Sequence, residues 1–189
     1  MTPIIKRLRP ESSVLVVIDV QDKLLAKIPA AGALVRNAAF LLDVAALLDV
    51  PIRATEQYPK GLGPTTPEIA RRLPPDTPAK TTFSCCGAGT FLDELRMLQR
   101  PDVVLVGMET HVCVAQTALD LLHAGLHVHL VVDALAARHA VDHDTALRRL
   151  ERAGAVPTTA EAVAFEWVGD STHPQFKAVS KLVITRSQE

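Results

Sequence analysis

The chain has 189 residues, 48% hydrophobic and 22% charged, a length that suits one ordinary domain with a sizeable core over residues 1–189. Its formal net charge of −1 gives no basic field for nucleic acid and no acidic tail. Aromatics are only 4%, which weakens base stacking as a role.

VLVVID (14–19) is a short apolar run rich in β-branched residues and fits a strand buried on both faces. AGALVRNAAFLLDVAALLDV (31–50) follows, with Leu34, Ala38, Leu41, Leu42, Ala45 and Leu48 near a helical period. Pro51 is expected to stop that helix, and PIRATE (51–56) reads as the second strand. TTPEIARRL (65–73) is a short helix opened by Thr66, with Pro67 at its first position. AKTTFS (79–84) reads as a third strand, GTFLDELRML (89–98) as a helix and DVVLVGM (102–108) as a strand. HVCVAQTALDLLHAG (111–125) is a helix ending at Gly125. LHVHLVVDA (126–134) is a strand, and DHDTALRRLERAG (142–154) is a helix ending at Gly154. A short strand in AVPTT (155–159) and helices near 159–167 and 173–182 complete the chain.

This alternation implies an α/β fold: a three-layer α/β/α sandwich around a mainly parallel, doubly wound sheet of about six strands. Ligands of such sheets bind beyond the carboxyl ends of the strands. The Pro- and Gly-rich loop TEQYPKGLGPTTPE (55–68) is expected over the same edge.

Three residues stand out at that edge. Asp19 closes the first strand, where a carboxylate is costly to bury unless paired. It reads as a cap or as a general base; an Asp-x-Asp phosphatase pair is disfavoured, because residue 21 is Gln21. Lys80 is a lone cation between Ala79 and Thr81. Cys113 lies three residues after Thr110, read as a helix N-cap, so its sulfur falls in the first helical turn. Unpaired amides there favour a thiolate, although an inert buried thiol is the competing reading.

Cys85 and Cys86 are adjacent, and with Cys113 they make an odd count, which is a poor disulfide framework. MTPIIKRLRPESS (1–13) has no apolar core of a secretory leader, and no run is long enough for a membrane span. A soluble, reduced, cytoplasmic protein without membrane or nucleic-acid partners is expected. His127 with His129, and His139 with His143, have spacings that suggest a metal, but neither pair has a third ligand nearby, so no metal is expected.

Taken together, Asp19, Lys80 and Cys113 in that chain order resemble the triad of the isochorismatase-like cysteine hydrolases. The resemblance runs from SSVLVVIDVQD to HPQFKAVSKLV and is strongest in VVLVGMETHVCVAQTALDLLHAGLHVHLVVDA (103–134). TEQYPKGLG and GDSTHPQFKAVSKL are similar to one subgroup, the isochorismatase domain-containing proteins. The resemblance implies a cysteine nucleophile at Cys113 and a cis Met108–Glu109 peptide, with the backbone amides of Glu109 and Cys113 as the oxyanion hole. It also implies a small-molecule substrate with an amide-like C–N bond, no cofactor, and a homo-oligomer, dimer or larger. Metal-binding nicotinamidases of the family carry histidines where this chain reads ATEQYPKGLG, and true isochorismatases lack the cysteine. Glu56, Gln57, Phe83 and His111 are candidate substrate contacts. A non-catalytic binding or scaffold protein that retains the triad is the alternative.

Overall fold

The computed structural model describes residues 7–188. The reading of residues 1–13 as no leader therefore falls partly on residues 1–6, outside the described residues.

β1 (Ser13–Ile18), β2 (Ile52–Gln57), β3 (Ala79–Lys80), β4 (Asp102–Met108), β5 (His127–Ala136) and β6 (Val156–Thr158) form one sheet. Its order is β3-β2-β1-β4-β5-β6, and every pairing is parallel. The chain starts at the centre, winds outward to β3, then crosses β1 to β4 and winds the other way. The two directions diverge between β1 and β4, the place where such sheets open a crevice at their carboxyl edge.

Period-two alternation sorts the strand residues between two cores. Leu15 and Val17 of β1 point to one side with Val104, Val106 and Met108 of β4. Val14, Val16 and Ile18 point to the other with Val103 and Leu105. The first side is covered by α2 (Ala31–Leu47), α4 (Pro67–Ala70), α8 (Ala160–Val168) and α9 (Phe176–Gln188). The second is covered by α5 (Phe91–Met97), α6 (Ala115–His123) and α7 (Ala140–Arg152). The result is the expected three-layer α/β/α sandwich. A strand buried on both faces has no polar side, which is why β1 and β4 read as continuous apolar runs. No helix among the described residues is long and apolar enough to cross a membrane.

The structure departs from the sequence reading in several places. The third strand is two residues, not six, because Lys80 turns inward and the chain after it bends into a tight turn over Cys85–Gly87. α2 stops before Pro51: Leu48 N–H bonds back to Val44, Val50 N–H to Ala45, and Asp49 takes a left-handed φ of 54°. Two short helices were not expected: α1 (Asp22–Leu25), in a stretch given no element, and α3 (Pro59–Leu62), inside the 55–68 loop. The last helix runs to Gln188, beyond the expected 182.

One glycine fixes how closely β1 and β4 meet. Gly107 pairs with Ile18 and has φ +122°, and a Cβ there would sit 2.1 Å from the Ile18 carbonyl oxygen. That close approach sets the end of β1, and so Asp19, directly beside the start of the turn that carries Cys113.

Candidate active site

Asp19 leaves β1 in the left-handed region, at φ 54°. Asp tolerates this conformation better than most residues, and such non-glycine positions cluster at functional sites. The turn drops its carboxyl inside the sheet edge, where it has no solvent exposure. Thr55 Oγ1, on the neighbouring β2, donates to Asp19 Oδ1 at 2.8 Å. Lys80 Nζ, from the outermost strand, reaches across to donate to Oδ2 at 2.7 Å. Both side chains of this ion pair are fully buried.

Burying two charges is costly unless every polar atom is used. Lys80 Nζ also donates to Gln57 Oε1 at 2.7 Å, and to the carbonyls of Phe83 at 3.0 Å and Thr82 at 3.3 Å. Gln57 is fixed in turn: its Nε2 donates to the Thr81 carbonyl, and its N–H to Gln21 Oε1. Gln21 Nε2 returns a bond to the Gln57 carbonyl. The amide of Gln21 therefore bridges the ends of β1 and β2.

Cys113 enters from the other side of Asp19. The Met108–Glu109 peptide is cis. A π-helical turn, Thr110–Val114, follows and leads into α6. Val112 N–H and Val114 N–H both donate to the Glu109 carbonyl. Glu109, not Thr110, occupies the cap position, since its backbone is extended and the turn begins at Thr110; Thr110 Oγ1 lies 2.8 Å from His143 Nδ1. Cys113 is 6% exposed, and its Sγ lies 4.0 Å from Gln57 Oε1. Gln57 thus touches both the lysine and the sulfur.

The sulfur is not the stabilised thiolate that a first-turn position suggests. Burial, and then the Asp19 charge, push the Cys113 thiol up to about 12, although the Lys80 charge opposes them. Burial also raises Asp19 above the usual carboxylate range, against the pull of Lys80. Dehydration is the largest influence on both groups. The arrangement is a thiol beside a carboxylate made more basic than a free one.

Cys85 is the second buried thiol at this site. Its Sγ lies 3.3 Å from Thr55 Oγ1, and its N–H donates to Thr117 Oγ1, which donates to the Cys113 carbonyl. Burial pushes Cys85 up to about 11. Unfolded thiols near 9 lose protons before these two do, so the folded state holds more protons between pH 9 and about 11–12. Stability is therefore expected to fall as pH rises through that window, by at most about 1.4 kcal/mol per pH unit per thiol. Below pH 9 both states are protonated and neither thiol contributes. Urea denaturation between pH 8 and 10.5 checks this, and Cys113→Ala should flatten the slope without abolishing it.

The other candidate contacts lie at different distances from the chemistry. Glu56 Oε1 accepts from Thr65 N–H at 2.6 Å and Thr65 Oγ1 at 2.8 Å, so this carboxylate fastens the 58–66 loop. Phe83 is 51% exposed and meets the site through its carbonyl on Lys80. The ring of His111 is partly buried beside Asp142, with its Nε2 3.9 Å from Asp142 Oδ2. Sequence reasoning missed Thr55, Gln21 and Thr117. Only the neutral residue at position 21 was noticed, as a departure from a phosphatase pattern.

The isochorismatase domain family model matches residues 13–162. Isochorismatase domain-containing protein 2A of Mus musculus is 47% identical over 179 residues, covering 94% of this chain and 85% of that protein. The structure of MAR1 ribonuclease from Caenorhabditis elegans superposes with a TM-score of 0.89 at 43% identity, over 95% of this chain and 93% of that one. The YcaC gene product of Escherichia coli, described as an octameric hydrolase of unknown specificity, shares the fold: TM-score 0.82, 24% identity, 97% and 99% coverage. The chain belongs to the isochorismatase domain family.

Proposed function

We propose that this chain is a metal-independent cysteine hydrolase that cleaves an amide-like C–N bond of a small molecule. The observation that carries the reading is the dry Asp19–Lys80 ion pair, 2.7 Å apart, at the same strand edge as the Cys113 thiol. Asp19 takes the Sγ proton as sulfur attacks the substrate carbonyl and the S–C bond forms. The backbone amides of Glu109 and Cys113 receive the oxyanion; one such donor is worth about 2.7–4 kcal/mol. Protonated Asp19 gives its proton to the amine as the C–N bond breaks, leaving a thioester. Asp19 then takes a proton from water as it attacks. The S–C bond breaks, the acid departs, and the proton returns to sulfur.

Lys80 holds Asp19 and Gln57 in place. The donor set suits an ammonium rather than a metal. Asp19 already accepts from Lys80 and Thr55, and ATEQYPKGLG offers no histidine. The octamer of the YcaC product and the alanine-rich helices here support a homo-oligomer. Three free thiols suit a reducing cytoplasm. Ribonuclease activity is named for the nematode neighbour, but a net charge of −1 and 4% aromatics lend it no support here.

The 6% exposure of Cys113 favours a second reading, a binding or scaffold protein that keeps the triad. A panel of small amides, imides and ureides assayed by ammonia release separates the two. Turnover above a Cys113→Ala blank is expected for at least one member. Magnesium-dependent turnover of phosphate esters that survives Cys113→Ala would point instead to a phosphatase-type centre on Asp19. A silent panel would favour the scaffold.

A further inference from the structure

Three consecutive residues at the head of the nucleophile turn are tied to one segment, the entrance of α7. Arg138 Nε donates to Glu109 Oε2 at 2.8 Å, Thr110 Oγ1 meets His143 Nδ1 at 2.8 Å, and His111 Nε2 lies 3.9 Å from Asp142 Oδ2. The outer two contacts involve partly exposed charges, which water screens. The middle one is different. Thr110 has no solvent exposure, so no water replaces a lost partner.

We propose that His143 is a positioning residue for Cys113: its neutral ring accepts the Thr110 hydroxyl and so fixes the turn that presents the sulfur. The inference rests on the reading of Cys113 as nucleophile and adds a pH control to that site. A neutral imidazole has one acceptor nitrogen. With the proton on Nε2, Nδ1 accepts from Thr110. A second proton makes both nitrogens donors. The hydroxyl must then turn to accept, and its own hydrogen is stranded in a dry site. Thr110 opens the π-helical turn, so its displacement carries to Cys113 three residues on.

The titratable groups around this ring are few. The turn brings Glu109 and His111, and the preceding loop Arg138 and His139. On α7, Asp142 and Asp144 flank His143, with Arg148, Arg149, Glu151 and Arg152 further along; α6, packed against α7, carries Asp120 and His123, and β6 carries none. Burial lowers the His143 pKa below 6.5, and the Asp144 charge opposes it. The ring is therefore neutral at pH 7, and the contact releases only on acidification.

The test follows the Cys113 backbone amide and the His143 ring together by NMR in the full chain, from pH 8 to 5. In wild type they are expected to share one inflection. His143→Gln should remove it from the Cys113 amide. Thr110→Val should also remove it there while leaving the ring to titrate. Acrylamide labelling of Cys113 gives the chemical readout. The ratio of wild-type to His143→Gln rates should be near one at pH 8 and about fivefold lower at pH 5, the worth of one ordinary hydrogen bond. A ratio unchanged with pH means a merely structural histidine and overturns the proposal. So does a Cys113 amide that titrates in His143→Gln as in wild type. If neither variant folds, the wild-type titration decides, since the absence of a shared inflection refutes the coupling. Failure of the hydrolase reading shows separately, as no Cys113-dependent turnover with the coupling intact.

Discussion

Lys80→Met is expected to cost about 3–5 kcal/mol of stability, because it leaves a buried carboxylate without its counter-charge. Both side chains of the pair have no exposure, so water cannot enter to take over from the ammonium. Thr55 and the Cys113 thiol, both neutral, would remain beside Asp19, and Gln57 Oε1 would lose its lysine partner. Asp19 would relieve the strain by holding a proton, which removes its use as a base. Asp19→Asn combined with Lys80→Met is expected to recover most of the lost stability, since the double change buries no charge at all. Urea denaturation of the two single variants and the double variant at pH 7 measures the coupling. The double variant should remain without hydrolase activity. A single-variant cost below about 1 kcal/mol would show that the pair is hydrated and would remove the physical basis of the site.

Gly107→Ala is expected to prevent cooperative folding, or to cost more than about 4–5 kcal/mol. The added Cβ would meet Ile18 O at 2.1 Å and Ile18 N at 2.7 Å, both backbone atoms of the central strand that cannot swing aside. The residue also holds a φ of +122°, a conformation L side chains rarely adopt. Gly32→Ala is the matched control. That glycine lies in α2 with nothing within 4 Å of the new methyl, and the change should be neutral or stabilise by up to about 1 kcal/mol. Soluble yield and thermal unfolding of the two variants decide the matter. If Gly107→Ala folds normally, the sheet can open at β1–β4, and the fixed placement of Asp19 beside the Cys113 turn fails with it.

The sequence by itself determined the elements and their layering, because hydrophobic periodicity is a local property. VLVVI (14–18) and VVLVGM (103–108) are apolar throughout, which fits strands covered on both faces. Gly125 and Gly154 mark the ends of α6 and α7 as read. The same locality explains the errors. Nothing near AKTTFS says that pairing stops after Lys80, because what stops it is an inward pull from Asp19, 61 residues away. Thr110 looks like a cap, yet its hydroxyl meets His143, 33 residues on. Asp19 and Cys113 were legible as candidates because one ends an apolar run and the other opens a helix; Lys80 stood out only together with them, through the family resemblance. Gln21, Thr55 and Thr117 were not legible, since a neutral hydrogen-bonding residue carries no signal apart from its partners. Only the tertiary structure decided the protonation of the site. Chain position placed the Cys113 sulfur at a helix start and favoured a thiolate. Folding then stripped the sulfur of water and set a carboxylate beside it, and both push the thiol up.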